Sequence, residues 1–138
     1  MEQIIASSRE DFALAYFIRP TCEFCQAQTG ILKYFINKYG WDIKPVNIEE
    51  EPQAGYRFNI TIVPTLLLVY KNTGDFMPIS TGVTSVDMLE ESLYRAIRYM
   101  RGETTPSQFL TRGYNLGSAL DPETKNTAIV PMFQNIER

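Results

Sequence analysis

Two cysteines, Cys22 and Cys25, are the whole thiol complement of the chain, and no histidine accompanies them. The missing histidine removes imidazole triads, His acid–base chemistry and His metal ligands together. Whatever chemistry exists has to run on cysteine, carboxylates, lysine or tyrosine. A disulfide-stapled secreted fold needs more cysteines, spread along the chain. A tetrahedral zinc site needs two further soft ligands, and neither Cys nor His remains to supply them. A zinc ion or iron–sulfur cluster shared between two copies stays open as an alternative, as do two inert buried cysteines. The first reading of Cys-x-x-Cys is a redox dithiol.

Thiol–disulfide exchange requires one exposed, stabilised thiolate and a second thiol close enough to resolve the mixed disulfide. The flanking residues supply elements that meet both needs. Phe12–Ile18 is a continuous apolar run bounded by Asp11 and Arg19-Pro20, the pattern of a strand buried on both faces. Thr21 offers a helix N-cap, Ile31, Leu32, Phe35, Ile36 and Tyr39 recur at helical spacing, and Gly40 supplies a C-cap. A cysteine in the first turn of that helix meets free N–H groups and the positive end of the dipole. Cys22 is therefore the expected nucleophile, and one helical turn brings Cys25 beneath it as the resolving thiol.

Further along, Trp41–Ile48 reads as a second strand, and Glu49-Glu50-Glu51-Pro52 opens a short helix through about Phe58. The acidic triplet suits a solvated first turn rather than a metal site. Thr65–Tyr70 is a third strand, Lys71–Asp75 a turn, and Phe76–Ser80 a fourth strand. Thr84-x-x-Asp87 then caps a long helix with Val86, Leu89, Leu93, Ala96, Ile97 and Met100 on its core face. Glu91 and Arg95 form an i,i+4 pair on its outer face. The order is strand, helix, strand, helix, strand, strand, helix.

At 138 residues the chain suffices for one domain, and 44% hydrophobic, 12% aromatic and 21% charged residues describe a globular one. A net charge of −3 without a basic stripe argues against a nucleic-acid partner. The longest apolar run, Ile62–Tyr70, contains Pro64 and falls short of the ~20 residues of a membrane helix. No Gly-rich phosphate loop signals a nucleotide or flavin, so neither cofactor nor metal is expected. Met1–Glu10 lacks the basic start and long apolar centre of a signal peptide. The protein either stays in the cytosol or is exported by a segment outside this sequence.

Cys22-Glu23-Phe24-Cys25 after the first strand, Ile62-Val63-Pro64-Thr65 before the third, and Gly82 ahead of the last helix together resemble the thioredoxin superfamily, over about residues 11–100. Ile18–Cys22, Ile31–Phe35, Val46–Ile48 and Met77–Val83 are similar to the thioredoxin-like domains of F-type conjugative transfer proteins (TraF/TrbB type), envelope proteins of the pilus-assembly apparatus. The resemblance implies an α/β, thioredoxin-like fold over residues 1–101, a central mixed four-stranded sheet flanked by helices, with residues 102–138 as a C-terminal extension. It implies a cis Pro64 lying against the dithiol, leaving the Val63 backbone to pair with an extended substrate. The residues alone also allow an ordinary trans proline at a strand start. Phe24, Ile62 and Val63 would form the apolar patch that meets an unfolded client, although Phe24 reads equally well as a packed helix residue.

The function implied is a thiol–disulfide oxidoreductase that forms or reshuffles disulfides in envelope or conjugative-transfer proteins. Its partners would be cysteine-containing proteins, pilus-assembly proteins among them, and a redox partner that resets the dithiol. The compartment implied is the periplasm. A cytosolic reductase and a non-catalytic assembly scaffold are the alternatives.

Four positions depart from the thioredoxin pattern. Tyr16 stands where a buried carboxylate usually serves the resolving thiol, Pro45 replaces an accompanying lysine, Gly30 replaces a helix-kinking proline, and Thr21 replaces a tryptophan. Between the cysteines, Glu23 disfavours a thiolate by like-charge repulsion, while Arg19 and the helix terminus favour one, which leaves oxidant, isomerase and reductant all open. After Gly102, Thr105-Pro106-x-Gln108 reads as a capping box opening a short helix through about Arg112. Gly113, Gly117, Asp121-Pro122 and Pro131 interrupt the rest of the chain, while Tyr114, Leu116, Leu120, Ile129, Val130, Met132 and Phe133 keep it apolar. Two readings stand there: an arm packed on its own domain or a partner, and a frayed terminus.

Overall fold

In the computed structural model, which describes residues 1–110, β1 (Phe12–Ile18) runs through the middle of the sheet. Every residue from Phe12 to Phe17 is buried, because apolar side chains leave both faces of the strand. On one side β1 pairs in parallel with β2 (Ile43–Asn47), and on the other it pairs antiparallel with β3 (Thr65–Tyr70), which pairs antiparallel with β4 (Phe76–Thr81). The sheet is therefore mixed and four-stranded, in the order β2-β1-β3-β4.

Five helices complete the described chain: α1 (Glu2–Ser7), α2 (Glu23–Tyr39), α3 (Pro52–Arg57), α4 (Val86–Met100) and α5 (Pro106–Leu110). Phe12, Leu14 and Tyr16 face a core shared with Leu32 and Phe35 of α2, Leu89, Leu93 and Ile97 of α4, and Ile5 of α1. Ala15 and Phe17 face the second core, closed by Val46, Ala54 of α3, Phe58, Leu67 and Phe76. Phe109 of α5 is buried against the first core, its ring 5.4 Å from that of Tyr99.

Several expectations from the sequence shift. Met1–Glu10 contains a helix, α1, that its short apolar patch did not signal; the Trp41 indole N–H holds it, donating to the Ile5 carbonyl at 2.8 Å. Because Trp41 turns towards α1, β2 starts at Ile43 and not at Trp41. The Asn47 side chain accepts from the backbone N–H of Glu49 at 2.9 Å, so the acidic triplet forms a turn and α3 starts only at Pro52. The cap of α4 is Ser85, whose hydroxyl accepts from the Met88 N–H, rather than Thr84. The Glu91–Arg95 pair is present at 3.8 Å. The Thr105 hydroxyl and the Gln108 side chain each accept from the other's backbone N–H, a reciprocal capping box. The helix that it opens runs to Leu110, and the expected arm beyond lies outside the described residues.

The ladder also defines an open edge. Leu14 N–H donates to Asp42 O and Ile48 N–H to Ile18 O, so the even-numbered residues of β2 face β1 while Ile43, Pro45 and Asn47 face outward. Among the described residues no strand pairs with that outer side.

Candidate functional site

The dithiol sits where β1 ends and α2 begins. Strand β1 leads through Arg19-Pro20-Thr21 to Cys22, which is itself the N-cap of α2; the cap expected at Thr21 falls one residue later. Cys22 has extended backbone angles (φ −132°, ψ 105°), and its Sγ accepts from the Cys25 N–H at 3.0 Å. A sulfur thus occupies the position where a serine or aspartate oxygen normally satisfies the first unpaired N–H groups of a helix. Cys22 and Cys25 are joined as a disulfide, with Cα atoms 5.1 Å apart. The two sulfurs differ in access: Cys22 is half-buried and Cys25 is 5% exposed.

Behind Cys25 lies Tyr16. Its hydroxyl donates to the Cys25 carbonyl at 2.7 Å and stands 2.9 Å from the Thr29 hydroxyl, which shares the same carbonyl at 2.9 Å. Burial raises the Tyr16 phenol above its ordinary value of 10.0, an effect that the Thr29 hydrogen bond partly opposes. The position that holds a carboxylate in the thioredoxin pattern therefore holds a neutral hydroxyl, bonded to backbone. Helix α2 runs as one element through Gly30, where the pattern has a kinking proline, and Pro45 lies on the outer edge of β2.

The Val63–Pro64 peptide bond is cis, and it leads into β3. Thr65 pairs with Phe17 on one side and Thr81 on the other, so the 62–64 segment shares the sheet end from which β1 delivers Cys22. The Gly82 N–H donates to the Pro64 carbonyl at 2.7 Å. Phe24, between the cysteines, is 66% exposed, and Ile62 is 53% exposed; Val63 is half-buried against the second core. Of the two readings of Phe24, the exposed one describes the structure.

A residue that the sequence did not single out completes this end of the molecule. Gln28 is fully buried one turn beyond Cys25, and its amide pairs with both backbone groups of Thr84. Its Oε1 accepts from the Thr84 N–H at 2.8 Å, and its Nε2 donates to the Thr84 carbonyl at 3.2 Å. The available signal was an amide on the stripe Cys25, Gln28, Leu32, Phe35, Tyr39, all of which face the core. Among the described residues no group of three or more Cys, Asp or Glu side chains is arranged to hold a metal ion, and no helix is long and apolar enough to cross a membrane.

The sequence matches the TraF family, described as F plasmid transfer operon protein, over residues 1–94. Curated proteins give no match. Among solved structures the fold is similar to that of thioredoxin-2 of the malaria parasite, a component of its protein secretion machinery (TM-score 0.56, 17% identity, covering 62% of this chain and 82% of that one). It is also similar to thioredoxin 1 of Thermosipho africanus (TM-score 0.51, 18% identity, 64% and 98%) and to Fasciola hepatica thioredoxin (TM-score 0.52, 14% identity, 68% and 88%). At these identities the likeness shows the fold: it is thioredoxin-like.

Proposed function

Because the chain belongs to the TraF family of F plasmid transfer operon proteins, and carries a cysteine pair on a thioredoxin-like fold, we propose that it is a thiol–disulfide oxidoreductase acting on cysteine-containing envelope proteins of a conjugative transfer apparatus. One observation carries the chemistry: a half-exposed sulfur caps a helix N-terminus and its disulfide partner lies buried one turn on. In the reducing direction the Cys22 thiolate attacks a client disulfide, and the electron pair of the broken S–S bond leaves on the client's other sulfur. The Cys25 thiolate then attacks Cys22 Sγ, which releases the second client thiolate and leaves the Cys22–Cys25 disulfide. Disulfide formation is the same sequence reversed, and isomerisation is attack and release without the second step.

Val63 and Pro64 would present backbone to an extended client, with Phe24 and Ile62 as its apolar contacts. The same reading divides the chain at residue 102, with the redox domain before it and a C-terminal extension after it, and sets the reaction in the periplasm. A reductase is the second reading, favoured by exposed Glu23, whose charge beside Cys22 disfavours the thiolate and so favours the disulfide.

Equilibrating the chain against glutathione or dithiothreitol, with thiols trapped and counted, separates these. A potential between about −120 and −200 mV marks an oxidant or isomerase, and one near about −270 mV marks a reductant. For an isomerase, refolding of a scrambled multi-disulfide protein in glutathione buffer is faster with the chain than without it. Failure of the cysteines to form an intramolecular disulfide in solution overturns the redox reading.

A further inference from the structure

The loop between β4 and α4 is held at two points. Gly82 donates its N–H to the carbonyl of Pro64 at 2.7 Å, and Thr84 gives both its N–H and its carbonyl to the Gln28 amide. Val83 lies between those anchors with its side chain 43% exposed. Three separate stretches are thereby tied together at one sheet end: the dithiol helix, the cis-proline segment and the loop ahead of α4. The tie to the dithiol helix is made by the Gln28 side chain. Burying an amide costs free energy unless its polar atoms are paired, and Thr84 supplies a partner to each end of the Gln28 amide. Thr84 is also buried, and replacing the amide by an apolar side chain strands two backbone groups that no longer hold the loop to α2.

We propose that Gln28 is a positioning residue: by pairing with Thr84 it fixes the Gly82–Thr84 loop against the dithiol helix, so that Val83 joins Phe24 and Ile62 as a third apolar contact for an extended client segment. The inference rests on the oxidoreductase reading and adds a specificity determinant to that site. Gln28 touches neither client nor sulfur. Its effect falls on how tightly an apolar client is held before exchange, not on the exchange step.

The test uses the full, reduced chain in single-turnover reactions with excess peptide–glutathione mixed disulfides. In one peptide the cysteine is flanked by leucine and valine, in the other by serine and glycine. In each turnover the dithiol is oxidised to its disulfide while the mixed disulfide is reduced to peptide thiol and glutathione. Wild type is expected to saturate at lower concentration with the apolar peptide. Gln28→Leu is expected to raise that half-saturation concentration about fivefold while the maximal rate stays within about twofold. Val83→Ser, an exposed-site change that leaves the fold intact, is expected to raise it about threefold, and by much less when Gln28→Leu is already present, because the loop is then no longer held.

An apolar half-saturation concentration that is unchanged by Val83→Ser overturns the proposal even if Gln28→Leu does not fold. Independent, multiplicative effects of the two substitutions overturn it as well. Failure of the wild-type chain to exchange with either peptide overturns the oxidoreductase reading and this one together, whereas normal wild-type exchange with unaltered variants overturns this one alone.

Discussion

The Tyr16 hydroxyl donates to the Cys25 carbonyl across 2.7 Å, so the element beneath Cys25, the proposed resolving thiol, is a neutral phenol bound to backbone. With its pKa raised by burial, Tyr16 keeps its proton throughout the range in which thiols titrate. The expected pH profile of exchange follows the thiols alone. Tyr16→Asp is expected to add an inflection, because a carboxyl group buried there titrates well above its free value. Tyr16→Phe removes one hydrogen bond while the Thr29 hydroxyl keeps the Cys25 carbonyl satisfied, and is expected to cost about 1 kcal/mol in urea unfolding. A wild-type profile with a carboxylate inflection would contradict this account of the site.

Access to the two sulfurs predicts their order of reaction. After reduction, iodoacetamide is expected to alkylate Cys22 at least about tenfold faster than buried Cys25, as read by peptide mass spectrometry. Cys25→Ser is expected to accumulate a mixed disulfide at Cys22, and Cys22→Ser to accumulate none. Faster labelling of Cys25 would reverse the assigned roles.

Phe24 and Ile62 are exposed at 66% and 53%, so the fold gains little from them. Phe24→Ser and Ile62→Ser are each expected to change unfolding stability by less than about 0.5 kcal/mol. Each is nonetheless expected to slow exchange with an unfolded, disulfide-bonded client by severalfold. A large loss of stability would return Phe24 to the packed reading.

At the far end of α2, the Glu90 carboxylate accepts from the Tyr39 hydroxyl at 2.6 Å and from Lys38 Nζ at 2.8 Å, and Lys38 also reaches Glu2 at 3.1 Å. Burial works against ionisation of Glu90, but its bonds to Lys38 and Tyr39 outweigh that and lower its pKa below 4.5. A carboxyl with a lowered folded pKa stabilises the native state above its unfolded pKa, and that contribution disappears as pH falls through the folded value. The Glu90 bond raises Lys38 above 10.5, and burial with Glu90 pushes Tyr39 up to about 12, so neither partner weakens the clasp until strongly alkaline pH. Stability is therefore expected to stay level from about pH 5 to pH 10 in this respect and to decline below about pH 4. Glu90→Gln is expected to cost about 1–2 kcal/mol at pH 7 and to flatten that acid decline, measured by urea midpoints at pH 7 and pH 3.

Strand β1, the end of α2 at Gly40 (φ 70°) and strand β3 were all legible in the sequence, because unbroken apolar runs and a left-handed glycine are local signals. Caps were less so. Thr21 and Thr84 both have the right chemistry, yet the backbone turns one residue later at each, and Thr84 spends its backbone groups on Gln28. Helix α1 escaped notice because it is held by the Trp41 indole, a contact across 36 residues that no local pattern carries. The same holds at the site. The cysteine spacing announces itself, whereas the importance of Gln28 depends on a loop 56 residues away.

The proline at the outer edge of β2 bears on how a protein with the proposed activity would withstand incompletely folded clients. A chain that meets incompletely folded polypeptides risks being templated by them along any free strand edge, since unpaired N–H and C=O groups invite another strand. Pro45 lies in the middle of that edge, facing outward, and has no N–H to give. An incoming strand meets a gap in donors there and cannot zip along β2. The lysine of the thioredoxin pattern would leave that donor in place. The departure at Pro45 also makes that edge of the sheet a poor seed for aggregation.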